Sequence, residues 1–142
     1  MKIADVIRSK GAGVVSIRPD DTVAHLLALL EERKIGAVVV SQDGRDVAGI
    51  VSERDVVRHL HRSGADIVGG PVSAIMTSAV TTAGPDDDLE ALARVMTEQR
   101  IRHLPVIVDG QLHSIVSIGD VVKYRIDSLQ SERDQLVGYI QQ

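Results

Sequence analysis

Two stretches of this chain are copies of one another. Pro19-Asp20-Asp21 recurs as Pro85-Asp86-Asp87, and nine of the 26 positions from Pro19 to Gly44 are identical 66 residues later. Beyond the Asp-Gly pair the spacing falls to 65, and six of the eight positions from Ile50 to Val57 match those from Ile115 to Val122. A doubled unit constrains the fold more than any single motif. A supersecondary unit too small to bury its apolar face alone can bury it against its copy. The copies occupy residues 1–62 and 72–126. Residues 63–71, with three glycines and Pro71, suit a linker, and 127–142 read as a C-terminal helix.

Each copy has the same pattern. A short extended piece (Val14 to Ile17; Val80 to Thr82) runs to a proline, and Asp-Asp follows as a helix start. Val23, Leu26, Leu27 and Leu30 then fall at helical spacing, as do Leu89, Leu92, Ala93 and Met96. A β-branched run comes next, followed by Asp43-Gly44 or Asp109-Gly110 as a hairpin turn and a second strand. A last helix opens at Ser52 or Ser117, and short helical lead-ins precede the units at Ile3–Ile7 and Val72–Met76. The expectation is a mixed α/β (α+β) fold. Two small three-stranded sheets, each with two helices, pack sheet to sheet about a pseudo-two-fold axis over a common core. Leu129, Leu136, Val137 and Ile140 extend a helical stripe that either covers the module or meets another chain.

Composition removes several function classes. With Tyr124 and Tyr139 as the only aromatic residues, the chain lacks the stacking platforms of single-strand nucleic-acid binders. Its net charge of −4 also argues against a phosphate-backbone partner. Without cysteine there is no disulfide, thiolate catalysis or iron–sulfur chemistry. No apolar run reaches the ~18 residues of a membrane helix, and Asp5 and Arg8 interrupt the first segment, so the default expectation is a cytoplasmic protein. No membrane partner is expected. Gly11-Ala12-Gly13 lacks the third glycine of a dinucleotide fingerprint, and the histidines are scattered, so no metal site is expected.

Two segments remain that carry chemistry: Gly49-Ile50-Val51-Ser52-Glu53-Arg54-Asp55 and Ser114-Ile115-Val116-Ser117-Ile118-Gly119-Asp120. Ser-x-x-Asp at a strand-to-helix junction is close to a capping box, serine as N-cap and aspartate at the third helical position. The same junction also offers hydroxyl and carboxylate groups to a ligand, and a carboxylate can accept from both hydroxyls of a ribose. The two readings are compatible. The Asp86-Asp87-Asp88 run, by contrast, reads as helix capping.

These paired motifs, together with Arg102-His103-Leu104-Pro105-Val106 and the doubled unit, resemble a tandem CBS-domain protein, the domain named for the regulatory region of cystathionine β-synthase. The likeness is to the small stand-alone CBS pairs of bacteria and covers nearly the whole chain. It implies a regulatory module without catalysis that binds adenosine-containing ligands (AMP, ADP, ATP, sometimes NAD or S-adenosylmethionine) in clefts between the repeats. It also implies a homodimer and a regulated protein whose identity the sequence does not carry.

Matched position by position, Asp55 and Asp120 stand where the family's ribose-binding aspartate does, and Ser52 and Ser117 at its serine or threonine. Ser16 and Thr82 end the first strand, where the family meets its ligand. Gly36-Ala37-Val38 and Arg102-His103-Leu104-Pro105 stand at the entry to the second. Ile50 and Ile115 lie in the motifs, and Arg54 stands where several members place a phosphate-contacting cation. Ser114 stands in place of glycine, and Ile118-Gly119 in place of Glu53-Arg54, so the two clefts are expected to bind unequally. The rival reading is a protein-binding adaptor whose clefts stay empty. An enzyme is disfavoured, because neither motif supplies a base oriented by a third group.

Overall fold

The computed structural model describes residues 1–11 and 13–141. Ala12, in the Gly11-Ala12-Gly13 run, and Gln142, at the end of the C-terminal segment, lie outside them. The first repeat comprises α1 (Ile3–Lys10), β1 (Ser16–Ile17), α2 (Val23–Arg33), β2 (Ala37–Val40), β3 (Gly49–Ser52) and α3 (Glu53–Ser63). The second comprises α4 (Leu89–Glu98), β4 (His103–Val108), β5 (Gln111–Ser117) and α5 (Ile118–Ile140). In the first sheet β1 runs parallel to β2, which is antiparallel to β3; in the second, β4 and β5 are antiparallel.

Helix starts are built alike in the two repeats. Thr22 caps α2 by accepting from His25 N–H at 3.1 Å, and Asp88 caps α4 by accepting from Ala91 N–H at 3.1 Å. The Asp-Asp pairs expected as helix starts act one step earlier. Asp21 accepts from Arg18 N–H and Asp87 from Gly84 N–H, closing the turn that leads into the cap.

The copies differ in three places. The expected strand over Val80–Thr82 is reduced to one parallel bridge from Ala83 to Val106, so the second sheet has two full strands. Ala83 and Gly84 stand where the first repeat has Ile17 and Arg18, and both are poor strand formers. Asp109-Gly110 is a two-residue hairpin with φ of 52° and 77°, as expected. Asp43-Gly44, however, lies in a longer loop, because strand pairing stops at Val40 and Gly49. There the Ser41 hydroxyl and the backbone around Asp43 converge on Asp46 and hold its carboxyl at about 2. Finally, the expected separate C-terminal helix is the continuation of α5, a single helix of 23 residues. Leu129, Leu136, Val137 and Ile140 are exposed on it and do not cover the module.

The lead-ins exchange places. Ile3, Val6 and Ile7 of α1 are buried with Leu89, Leu92, Met96, Leu104, Val106, Val116 and Val121 of the second repeat. Conversely, Val72 and Ile75 are buried with Val23, Leu26, Leu30, Val38, Val40, Val51 and Val56 of the first. The backbone repeats the exchange bond for bond. Val72 N–H donates to Asp21, Ser73 to Pro19 and Val23 to Gly70, while Ile3 donates to Asp87, Ala4 to Pro85 and Leu89 to Met1, all within 3.0 Å. Residues 63–71, expected as a linker, hold a 3-10 turn at Ala65–Gly69 before reaching this clasp, and Val72–Ala74 form a second such turn.

The common core expected from sequence is therefore two clusters, each closed by the other repeat's lead-in. Strand alternation turns Val38 and Val40 toward the helices of the first repeat and Ala37 and Val39 the other way, yet all four are buried. His103 and Pro105 occupy the same positions on β4. The two sheets meet on these faces, where Ala37 and His103 line one cleft.

The exchange makes a directional prediction. Ile3→Ala and Ile75→Ala each empty a buried isoleucine site and are expected to cost about 2–5 kcal/mol by denaturant unfolding. In native-state hydrogen exchange, Ile3→Ala should loosen α4 and β4, sixty or more residues away in sequence, before α2 and β2. Ile75→Ala should do the reverse. Loss of protection confined to each lead-in's own repeat would refute the exchange.

Candidate functional site

A cleft of about 300 Å³ opens between the repeats. Its first wall is the β3–α3 junction, where the chain leaves an extended strand at Ser52 and turns into a helix. Ser52 accepts from Asp55 N–H at 3.4 Å, and Asp55 Oδ2 accepts from the Ser52 N–H at 2.9 Å and its hydroxyl at 3.1 Å. This is a closed capping box. The other carboxylate oxygen, Oδ1, accepts from the Thr77 hydroxyl at 3.3 Å and has the Arg58 guanidinium 4.0 Å away. The residue is 7% exposed. Capping residue and cleft wall are thus one and the same side chain.

Thr77 arrives with the exchanged lead-in. Its backbone pairs both ways with Ile50, N–H to O at 2.8 and 2.9 Å. That close approach explains Gly49, since a Cβ there would stand 2.7 Å from the Thr77 carbonyl oxygen and 2.8 Å from Met76 Sδ.

Of the residues singled out from sequence, Gly36, Ala37, Ile50, Ser52, Arg54, Asp55, Arg102 and His103 line this one cleft. Arg102 and His103, read from sequence as neighbours of the second motif, therefore also face the first. Val38 and Leu104 are fully buried on the helix side of their sheets, Pro105 is buried, and Ser16 pairs with Val39 in the sheet. Thr82 is exposed. None of these five lines the cleft, and neither do Ile115, Ser117, Gly119 and Asp120.

Sequence reasoning missed Glu53, Arg58, Thr77, Ala79, Val80, Thr81, Arg100 and Ile101. Arg58 was accessible, lying one helical turn beyond Arg54. Thr77 and Ala79–Thr81 were not, because the exchange that brings them has no counterpart in the repeat pattern. The completed cleft carries four guanidinium groups (Arg54, Arg58, Arg100, Arg102) and two carboxylates (Glu53, Asp55) together with Gly36, Ala37 and Ile50. Chemically, that set offers a carboxylate acceptor for hydroxyls, cationic forks for an anion, and apolar lining at Ala37 and Ile50.

His103 lies between the two motifs. Burial lowers its pKa from 6.5, and the Lys10 and Arg102 charges lower it further, against Asp120 and Glu53, which raise it. At neutral pH it is therefore the neutral imidazole, and it gains its proton only on the acid side.

The second motif has the same capping box, with Asp120 N–H to Ser117 Oγ at 3.1 Å and Ser117 N–H to Asp120 Oδ2 at 2.9 Å. Its surroundings differ. Lys10 Nζ, at the end of α1, donates to Asp120 Oδ2 at 2.7 Å and to the Ile115 carbonyl oxygen at 2.6 Å. Burial raises the Asp120 pKa, but the Lys10 ammonium and the Ser117 donors outweigh it and leave the carboxyl below its ordinary 3.8.

Comparison with known proteins bears on this arrangement. The CBS domain family matches residues 3–62 and again residues 72–127. The chain is 35% identical over 147 residues to the CBS domain-containing protein CBSX3, mitochondrial, of Arabidopsis thaliana, covering 98% of this chain and 71% of that protein. Among solved structures, the CBS-domain containing protein ATU1752 from Agrobacterium tumefaciens matches with a TM-score of 0.84 at 38% identity, over 88% of this chain and 99% of that one. CBSX2 in complex with AMP matches with a TM-score of 0.74 at 26% identity, over 89% and 96%. Two successive matches to one domain, falling on the two halves of the repeat, show that this chain belongs to the CBS-domain family as a tandem pair.

Proposed function

We propose that the chain is a regulatory, non-catalytic module that holds an adenine nucleotide in the cleft between its repeats. One observation carries this reading: the Ser52–Asp55 box of the first repeat faces Arg102 and His103 of the second across a single cleft. Asp55 receives the ribose hydroxyls, the apolar lining at Ala37 and Ile50 takes the adenine, and Arg54, Arg58, Arg100 and Arg102 receive phosphate. The AMP carried by CBSX2 supports the ligand class. AMP leads ATP and NAD as the ligand, since it engages all three features with the least bulk. Ligand occupancy alters how the two repeats sit together, and a regulated partner reads that change. Because the ligand in this reading bridges both repeats, adenine-nucleotide binding and regulation are one event.

Isothermal titration calorimetry with AMP, ATP and NAD tests the reading. Asp55→Ala removes a charged acceptor of two hydroxyls and should cost ~1.5–3 kcal/mol, about tenfold to over a hundredfold in affinity. If the intact protein gives neither heat nor a melting shift at millimolar nucleotide, the adaptor with empty clefts replaces it.

Self-association belongs to the same proposal. Val57 on α3 and Val122 on α5 occupy equivalent positions in the two repeats and are 66% and 50% exposed, with Leu60, Ile126 and Leu129 exposed beside them in sequence. Aliphatics repeated at equivalent positions on two helices suit a two-fold contact between copies. Sedimentation equilibrium should give about twice the 15.3 kDa chain mass at micromolar concentration, and Val57→Asp with Val122→Asp should halve it. A wild type that sediments as a single chain would remove the dimer.

A further inference from the structure

The two motifs receive different visitors. In the first, the exchanged lead-in brings Thr77, whose hydroxyl touches Asp55 and whose backbone occupies Ile50. In the second, α1 brings Lys10, and its ammonium bonds both the Asp120 carboxylate and the Ile115 carbonyl. These two acceptors are the counterparts of Asp55 and Ile50 under the 65-residue repeat.

Lys10 is held where it is. Ile3, Val6 and Ile7 of the same helix are buried in the core of the second repeat, and three backbone bonds clasp the start of the helix to the turn before α4. The ion pair is itself partly shielded, with 35% of the Lys10 and 22% of the Asp120 side chain exposed. The ammonium does what sugar hydroxyls would do at this carboxylate, donating hydrogen bonds, and adds a full charge that a sugar lacks. A neutral hydroxyl competing for Asp120 must displace a charge-assisted bond made by a group already on the chain, at high effective concentration.

We propose that Lys10 is a built-in occupant of the second motif, which closes it to nucleotide so that each chain holds a single ligand, in the first cleft. The inference rests on the reading of the Ser-x-x-Asp carboxylates as ribose acceptors. It adds that α1, through one side chain, determines the stoichiometry of the module. Any change that neutralises or withdraws Lys10 opens the second site.

AMP titrations on four proteins test this: wild type, Lys10→Met, Asp55→Ala, and Lys10→Met with Asp55→Ala. Methionine keeps the aliphatic stem in place and removes the ammonium. The expected numbers of sites per chain that bind with wild-type affinity are one, two, none and one, the first-cleft site of the Asp55→Ala proteins persisting only at about tenfold to over a hundredfold weaker affinity. Two sites in the wild type, or no site gained in Lys10→Met over the wild type, would overturn the proposal. If the wild type binds no AMP, the first-cleft reading fails separately, and Lys10→Met still decides the plug. A site gained there supports it, and continued silence overturns it. Carboxyl NMR titration provides a readout independent of nucleotide. Asp120 should titrate below 3.8 in the wild type and move upward in Lys10→Met, and an unmoved titration would show that the contact is absent in solution.

Discussion

The clasp between each lead-in and the opposite repeat is the constraint on which the rest of the structure depends. The first N–H groups of a helix have no partner inside it and need one from elsewhere. In α2 and α4 part of that need is met across the repeats, Val23 N–H by Gly70 and Leu89 N–H by Met1. The segments that supply these carbonyls continue directly into Val72 and Ile3, which are fully buried in the cores they close. Backbone satisfaction and apolar burial therefore pull on the same residues. Neither repeat is complete without the other, so the unit that folds is the pair.

That mutual completion also builds the surroundings of the two motifs. Each Ser-x-x-Asp motif is shaped locally by its own strand-to-helix junction, and the two capping boxes are alike. What faces each motif is delivered by the exchange, and there the copies diverge. A threonine backbone lies against Ile50, which requires Gly49 to lack a Cβ. At the second motif a lysine side chain reaches Ile115 instead, and buried Ser114 stands in the glycine's place. The loss of that glycine, visible in the sequence as a departure from symmetry, follows from what approaches the strand.

Electrostatics follow the same division. The first half of the chain is neutral in net charge and the second carries −4, which suggests nothing about an anion site. The cleft nevertheless gathers four arginines, two from α3 and two from the approach to β4. Local convergence overrides the average, because a site responds to the charges within a few ångströms of it and the distant ones are screened. His103, central to both motifs, is kept neutral by burial and by the neighbouring cations.

The sequence by itself determined the duplicated unit, the helix stripes, the capping boxes at Ser52–Asp55 and Ser117–Asp120, and the family they resemble. All of these are local patterns, written in residues no more than a few turns apart and set by backbone periodicity and capping chemistry. Half-legible features, such as the strand expected at Val80–Thr82 and the tight turn at Asp43-Gly44, whose hairpin forms with a longer loop, departed where pairing depended on neighbours rather than on propensity. Only the tertiary structure decided that Ile3 belongs to the second core and Ile75 to the first. It also decided that Arg102 and His103 face Asp55, and that Lys10 reaches Asp120. Each of these joins residues far apart in the chain through burial and through hydrogen bonds to otherwise unpartnered groups, and neither leaves a periodic trace in the sequence.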